Sequence, residues 1–239
     1  LVRWQHPVRG LVPPLEFIPF AEQTGFVRQL TLWMFDRSAR LSRDLHAQGL
    51  PLRLSINLST RDMLDIDLPA RLEDILQRHA VEASAFCLEI TESAIMDDPQ
   101  RALATLDKLS QRGFTLSIDD FGTGYSSLAY LKRLPVDELK IDKSFVMNMQ
   151  EDDDDAKIVR STIDLAHNLG LSVVAEGVEN AVILEQLRAL DCDEAQGYFV
   201  SRPMPAQELA AWCARWKAEL VVSAETRLQA ERDSADRSA

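Results

Sequence analysis

The stretch GFTLSIDDFGTG, Gly113–Gly124, sets a helix stop, a strand and a charged loop side by side. Gly113 ends a helix-like segment and suits a left-handed C-cap. The run FTLSI, residues 114–118, has the apolar, β-branched character of a short buried strand. It stops at two adjacent acids, Asp119 and Asp120, and a loop rich in glycine and hydroxyl groups follows. Such a loop suits a phosphate, whereas the acids repel one. The two halves agree only if cations stand between acid and phosphate.

The same pattern recurs in both directions. Strand-like runs lie at residues 52–58 (LRLSINL), 86–90 (FCLEI), 138–141 (ELKI), 171–175 (LSVVA) and 196–200 (QGYFV), with 1–4 as a further candidate. Helical periodicity occupies 30–45, 68–79, 99–112, 156–169 and 181–190, and a last helix is expected over 206–220. Unbroken alternation of strand and helix means parallel pairing through right-handed crossovers. Seven strands in 239 residues predict an α/β fold, a (β/α)8 TIM-type barrel missing its first strand. An open doubly wound sheet is the alternative, but no GxGxxG follows an early strand. The barrel is expected over 1–217. Residues 218–239 turn polar and charged and read as a C-terminal helix or disordered tail.

Bulk properties narrow the partners. A net charge of -12 argues against binding the backbone of DNA or RNA. Cys87, Cys192 and Cys213 form no CxxC pair, and the four histidines form no HExxH. Free thiols in a reducing cytoplasm fit that usage. No run approaches the ~18 apolar residues of a membrane span, so no membrane contact is expected from this segment. The acidic run EDDDD, 151–155, precedes a helix and reads as a solvated first turn that complements the helix dipole.

The chemistry lies in the polar residue that closes each strand. These are Asn57, Glu89 followed by Glu92, Asp119 with Asp120, Lys140 with Asp142, Glu176, and Gln196. In a barrel all of them reach the C-terminal rim, where active sites form. Each alone reads as a helix N-cap or an exposed charge. Together Asn57, Glu89, Asp119, Asp120 and Glu176 crowd carboxylates that repel one another unless cations neutralise them. All are hard oxygen donors, which points to Mg²⁺ or Mn²⁺. Two such ions bridged by adjacent acids suit phosphodiester cleavage. Lys140 then holds the attacking water or offsets charge on the phosphate. Its rival role is a Schiff-base or general-base lysine, which the surrounding carboxylates disfavour.

On these motifs the chain resembles the EAL-domain family of bacterial cyclic-di-GMP phosphodiesterases. The matching stretches are LVRWQHP (Leu1–Pro7), PLEFIPFAEQTG (Pro14–Gly25), SINLS (Ser55–Ser59), LEITES (Leu88–Ser93), IDDFGTGYSSLAYL (Ile118–Leu131), LPVDELKIDKSFV (Leu134–Val146), VVAEGVEN (Val173–Asn180) and CDEAQGYFVSRPMP (Cys192–Pro205). The resemblance implies hydrolysis of cyclic di-GMP to linear pGpG with two divalent cations, Mg²⁺ or Mn²⁺. Asn57, Glu89, Asp119, Asp120 and Glu176 match metal-binding positions. Lys140, Glu176 and Asp120 stand as catalytic candidates, and Arg3 and Gln196 as substrate-binding ones. Glu92 matches the glutamate that steadies the loop after the paired acids. A homodimer is also implied.

Leu1 stands where the leucine of the family's Glu-Ala-Leu motif stands, and neither the glutamate nor the alanine is present. The expectation is a piece of a longer protein with further domains upstream, impaired on its own by the missing glutamate. A catalytically inactive cyclic-di-GMP receptor is the alternative reading. An unrelated barrel enzyme using Lys140 as an imine-forming lysine is a third.

Overall fold

The computed structural model describes residues 2–124 and 128–216. Near the start the chain turns back on itself, and β1 (Trp4–His6) pairs antiparallel with β2 (Gly10–Val12). His6 closes the turn: its Nδ1 accepts from the backbone N–H groups of Val8 and Arg9, both at 3.1 Å. The strand expected at 1–4 is therefore corrected. It lies further along and belongs to this hairpin, outside the parallel sheet.

Two helices follow, α1 (Pro14–Thr24) and α2 (Val27–Ala47). The periodicity reading missed α1, whose interior Pro19 removes one helical donor. In α2 the buried positions Val27, Thr31, Phe35, Ala39, Ser42 and Leu45 recur at helical spacing and form one stripe. The alternating unit then begins: β3 (Leu54–Leu58), α3 (Thr60–Met63), α4 (Leu68–His79), β4 (Phe86–Thr91), α5 (Glu92–Asp97), α6 (Pro99–Gln111), β5 (Thr115–Phe121), α7 (Leu128–Leu131), β6 (Glu138–Ile141), α8 (Lys143–Asn148), α9 (Asp153–Asn168), β7 (Ser172–Glu176), α10 (Ala181–Ala189) and β8 (Glu194–Gln196). Caps fix several starts. Ser59 and Asp62 form a capping box, Asp98 caps α6 ahead of Pro99, and Asn180 caps α10. Asp152 caps α9, accepting from the N–H groups of Asp154 and Asp155, so the acidic run does form a helix's first turn.

The six strands β3 to β8 pair in parallel and in sequence order. A flat sheet would hold its edge strands apart by five spacings of about 4.8 Å, roughly 24 Å. Yet Arg53, just before β3, lies 3.1 Å from Glu194 of β8. The sheet is thus curled, and the architecture is an incomplete (β/α)8 barrel. Six parallel strands replace the seven expected, because the first candidate went into the hairpin. Among the described residues no strand pairs with the outer edge of β3 or of β8.

Alternation along the strands separates two faces. Outward residues Leu88, Ile90, Leu116, Ile118, Leu139, Ile141, Val173 and Ala175 form one apolar cluster with Phe35, Leu72, Leu106, Ile163 and Leu187 of the helices. Inward positions carry Asn57, Cys87, Glu89, Ser117, Asp119, Glu138, Lys140 and Glu176. The near-continuous apolar runs of β4 and β5 follow from cover on both faces.

The last strand also differs from expectation. It ends at Gln196, and residues 197–200 form a turn. The chain here folds against the loop after β7. Gln196 accepts from Val178 N–H at 3.0 Å, and Phe199 N–H donates back to Val178 O at 3.0 Å. A Cβ at Gly197 would meet Val178 O at 2.1 Å and Val178 N at 2.3 Å. Gly197→Ala is expected to cost about 3 kcal/mol, the upper end of overpacking costs. Urea unfolding measures it, and an unchanged midpoint would remove this account of the turn.

The chain falls into two compact units, Leu1–Arg202 and Pro203–Ala239. In the second, a 3-10 turn at Ala206–Glu208 leads into helical residues 209–216, where Trp212 and Trp216 stack at 5.4 Å between ring centroids. The remainder of the helix expected over 206–220, and the tail expected over 218–239, lie outside the described residues. No helix among the described residues is long and apolar enough to cross a membrane.

Candidate active site

Lys140 is the centre of the rim. Its position on β6 is inward, and the residue is only 3% exposed. Its Nζ lies 2.9 Å from Glu89 Oε1, 3.2 Å from Asp119 Oδ1 and 2.5 Å from Glu176 Oε1. Three strands, β4, β5 and β7, therefore converge on one ammonium. Burial alone would push the amine down, but the carboxylates of Glu89, Asp119 and Glu176 outweigh it and hold it above the usual lysine range. Burial also raises the Glu176 carboxyl, and Lys140 only partly offsets that. On β3, Asn57 Nδ2 donates to Glu89 Oε2 at 3.1 Å.

The paired acids depend on a backbone irregularity. Neighbouring residues of a regular strand point to opposite faces. Between Ile118 and Phe121 the β5–β6 register shifts, and Asp120 has a φ of 54°. This is a β-bulge, which re-aims side chains beside many active sites. Asp120 N–H donates to Asp119 Oδ1 at 3.1 Å. Through the bulge, Asp119, Asp120 and Glu176 each offer a carboxylate oxygen within 4.8 Å of the others. An aspartate in the left-handed region carries local strain. Burial, then the charges of Asp119 and Asp142, raise the Asp120 carboxyl.

Asp142 is the contact that the sequence did not assign. It follows Lys140 by two residues, so strand alternation was the available signal. Its charge helps to raise the Asp120 carboxyl, and its side chain caps α8, accepting from Ser144 N–H at 2.9 Å. Glu92, buried at the start of α5, reaches under the loop after β5: Gly122 N–H approaches its Oε2 at 3.4 Å. A Cβ at Gly124 would meet Glu92 Oε1 at 2.9 Å, so this glycine permits the close approach. Residues 125–127 of that loop lie outside the described residues.

The structure thus brings Asn57, Glu89, Asp119, Lys140 and Glu176 into contact and sets Asp120 beside them. Gln196 ends β8 next to Glu176, its register partner, and is exposed. Arg3 lies directly ahead of the hairpin and donates to the Val2 carbonyl at 3.0 Å, and Val2 lines a cavity with Asn57, Ser59 and Thr91. The donor set consists of carboxylates and one amide with no sulfur or imidazole. It fits a hard divalent cation.

The family model for the EAL domain matches residues 1–203. The chain belongs to the EAL domain family. Among curated relatives, MucR of Pseudomonas aeruginosa, named a bifunctional diguanylate cyclase/cyclic di-GMP phosphodiesterase, is 44% identical over 212 residues, covering 88% of this chain. PdeR of Escherichia coli K12, named a cyclic di-GMP phosphodiesterase, is 37% identical over 216 residues, covering 90% of this chain. The EAL chain spans only 31% and 33% of the length of these two relatives. A solved structure of the PaMucR phosphodiesterase in complex with c-di-GMP superposes with a TM-score of 0.84 at 44% identity, covering 87% of this chain and 85% of that one.

Proposed function

We propose that this EAL domain hydrolyses a phosphodiester bond of cyclic di-GMP to give linear pGpG, using two divalent cations, Mg²⁺ or Mn²⁺. The observation that carries the reading is the convergence of Glu89, Asp119 and Glu176 on buried Lys140, beside a bulge that turns Asp120 into the same space. Asn57, Glu89, Asp119, Asp120 and Glu176 would hold the cations. Bound there, the cations would supply Lewis acidity and lower the pKa of water.

The chain's own residues supply the rest. Lys140 carries a fixed positive charge that offsets charge growing on the phosphate and orients the incoming water. Its elevated amine pKa keeps it protonated, which disfavours the imine reading, since imine formation needs a free amine. Arg3 and Gln196 bind substrate, Arg3 by pairing with phosphate. Glu92 steadies the loop whose first residues follow the paired acids. The oxygen donors at Asn57, Glu89, Asp119, Asp120 and Glu176 favour hydrolysis over the receptor reading. A homodimer and a cytoplasmic setting complete the proposal.

The test is release of pGpG from cyclic di-GMP by a purified protein that carries the family's Glu-Ala ahead of Leu1, followed chromatographically with Mn²⁺, with Mg²⁺ and with EDTA. The expected result is pGpG with either cation and none with EDTA. Tight binding of cyclic di-GMP without turnover in any cation would overturn hydrolysis and leave the receptor.

A further inference from the structure

At the end of the curled sheet opposite the candidate site, three ionised side chains meet. Arg53 Nη2 lies 2.7 Å from Glu138 Oε2 of β6 and 3.1 Å from Glu194 Oε1 of β8. The Glu138 side chain is 3% exposed, whereas Arg53 and Glu194 reach solvent. The other oxygen of Glu138 faces the Cys87 thiol of β4 at 3.8 Å. Buried among these groups, the thiol is pushed up to about 12 by desolvation and by the Glu138 and Glu89 charges.

Strand alternation links this cluster to the rim. Arg53 and Asn57 are four positions apart. Glu138 and Lys140 are two apart, as are Glu194 and Gln196. Each pair therefore faces the same interior. The strands concerned are the two edges, β3 and β8, and the strand that carries Lys140. Among the described residues β3 and β8 share no ladder hydrogen bonds. The Arg53 side chain adds a direct tie between them across the interior.

We propose that Arg53 is a positioning residue: by reaching across the interior to Glu138 and Glu194 it holds β3, which presents Asn57, at its distance from β6 and β8, which present Lys140 and Gln196 at the far rim. The inference rests on the hydrolytic reading of that rim. Taking the cationic partner away from a carboxylate as enclosed as Glu138 is costly. Removing the guanidinium lets the β3 edge move away from β6 and β8. A displacement of about 1 Å at reacting groups costs on the order of 100-fold in rate.

The experiment compares wild type with Arg53→Lys, Arg53→Met and the double variant Arg53→Met/Glu138→Gln. It records kcat and KM for cyclic di-GMP, Mn²⁺ affinity by calorimetry, and the urea midpoint. Arg53→Met is expected to lower kcat by roughly 10- to 100-fold per folded molecule and to weaken Mn²⁺ binding. Arg53→Lys should restore most of both. The double variant no longer strands a buried charge, so it folds even if Arg53→Met does not, and it should remain slow. A double variant with wild-type kcat and Mn²⁺ affinity would overturn the proposal and leave Arg53 a stabilising ion pair alone. If wild type itself fails to hydrolyse cyclic di-GMP, the hydrolytic reading fails, and the Mn²⁺ titrations still decide whether Arg53 arranges the rim.

Discussion

Asp119→Asn is expected to abolish metal-dependent hydrolysis of cyclic di-GMP while leaving the barrel folded. The amide keeps the shape of the carboxylate and one oxygen acceptor. That oxygen can still accept from Asp120 N–H and from Lys140, now at 3.1 and 3.2 Å. What is lost is the charge, at the one acid that joins the bulge to Lys140. Loss of groups that merely support a metal ligand costs about 10- to 100-fold, so a direct donor should cost more than ~100-fold. Turnover with Mn²⁺ and Mg²⁺ measures the first claim, and circular dichroism with urea unfolding the second. Near-normal turnover at saturating Mn²⁺ would sink the ligand role of Asp119.

Lys140→Met is expected to damage both the fold and the chemistry, and a cation should separate the two. With no ammonium, Glu89, Asp119 and Glu176 crowd one another in a site almost closed to water. Breaking a buried ion pair by removing one partner costs about 3–5 kcal/mol. In EDTA the urea midpoint should fall accordingly. Mn²⁺ should restore much of it, because positive charge returns among the same oxygens. Activity should not return, since removing one electrostatic donor of this type costs roughly 100- to 1000-fold in kcat. An unchanged midpoint in EDTA would mean that the acids are not held by Lys140. Recovered activity in Mn²⁺ would mean that its charge is dispensable to the reaction.

Much of this arrangement was legible in the sequence because two simple rules acted together. Parallel strands put their C-terminal residues at one rim, so Asn57, Glu89, Asp119, Lys140 and Glu176 could be grouped from pattern alone. The helices α2, α4, α6, α9 and α10 were visible because their apolar stripes face the sheet. What escaped was set by tertiary context. The bulge at Asp119–Asp120 depends on pairing with β6, and no local pattern of residues announces it. The strand after Cys192 was placed too late because the aromatic run of Tyr198 and Phe199 mimics β propensity. In the fold Gly197 tucks the chain against Val178 instead. The hairpin at Trp4–Val12 was misread because His6, not a glycine pair, closes its turn. The Arg53 bridge was invisible because it joins residues 85 and 141 positions apart in the chain.

The two faces of the sheet also bear on how such a protein can change over generations. Its cohesion comes from the outward layer, where Leu88, Leu116, Leu139 and Val173 are fully enclosed with the helices. Its reactivity comes from the inward layer, where the same strands carry acids, a lysine and an amide. Substitutions at the rim that strand no buried charge leave the apolar layer whole. Chemistry can therefore be altered through the inner residues while the scaffold persists. Apolar packing and candidate chemistry thus fall on alternate residues of the same six strands.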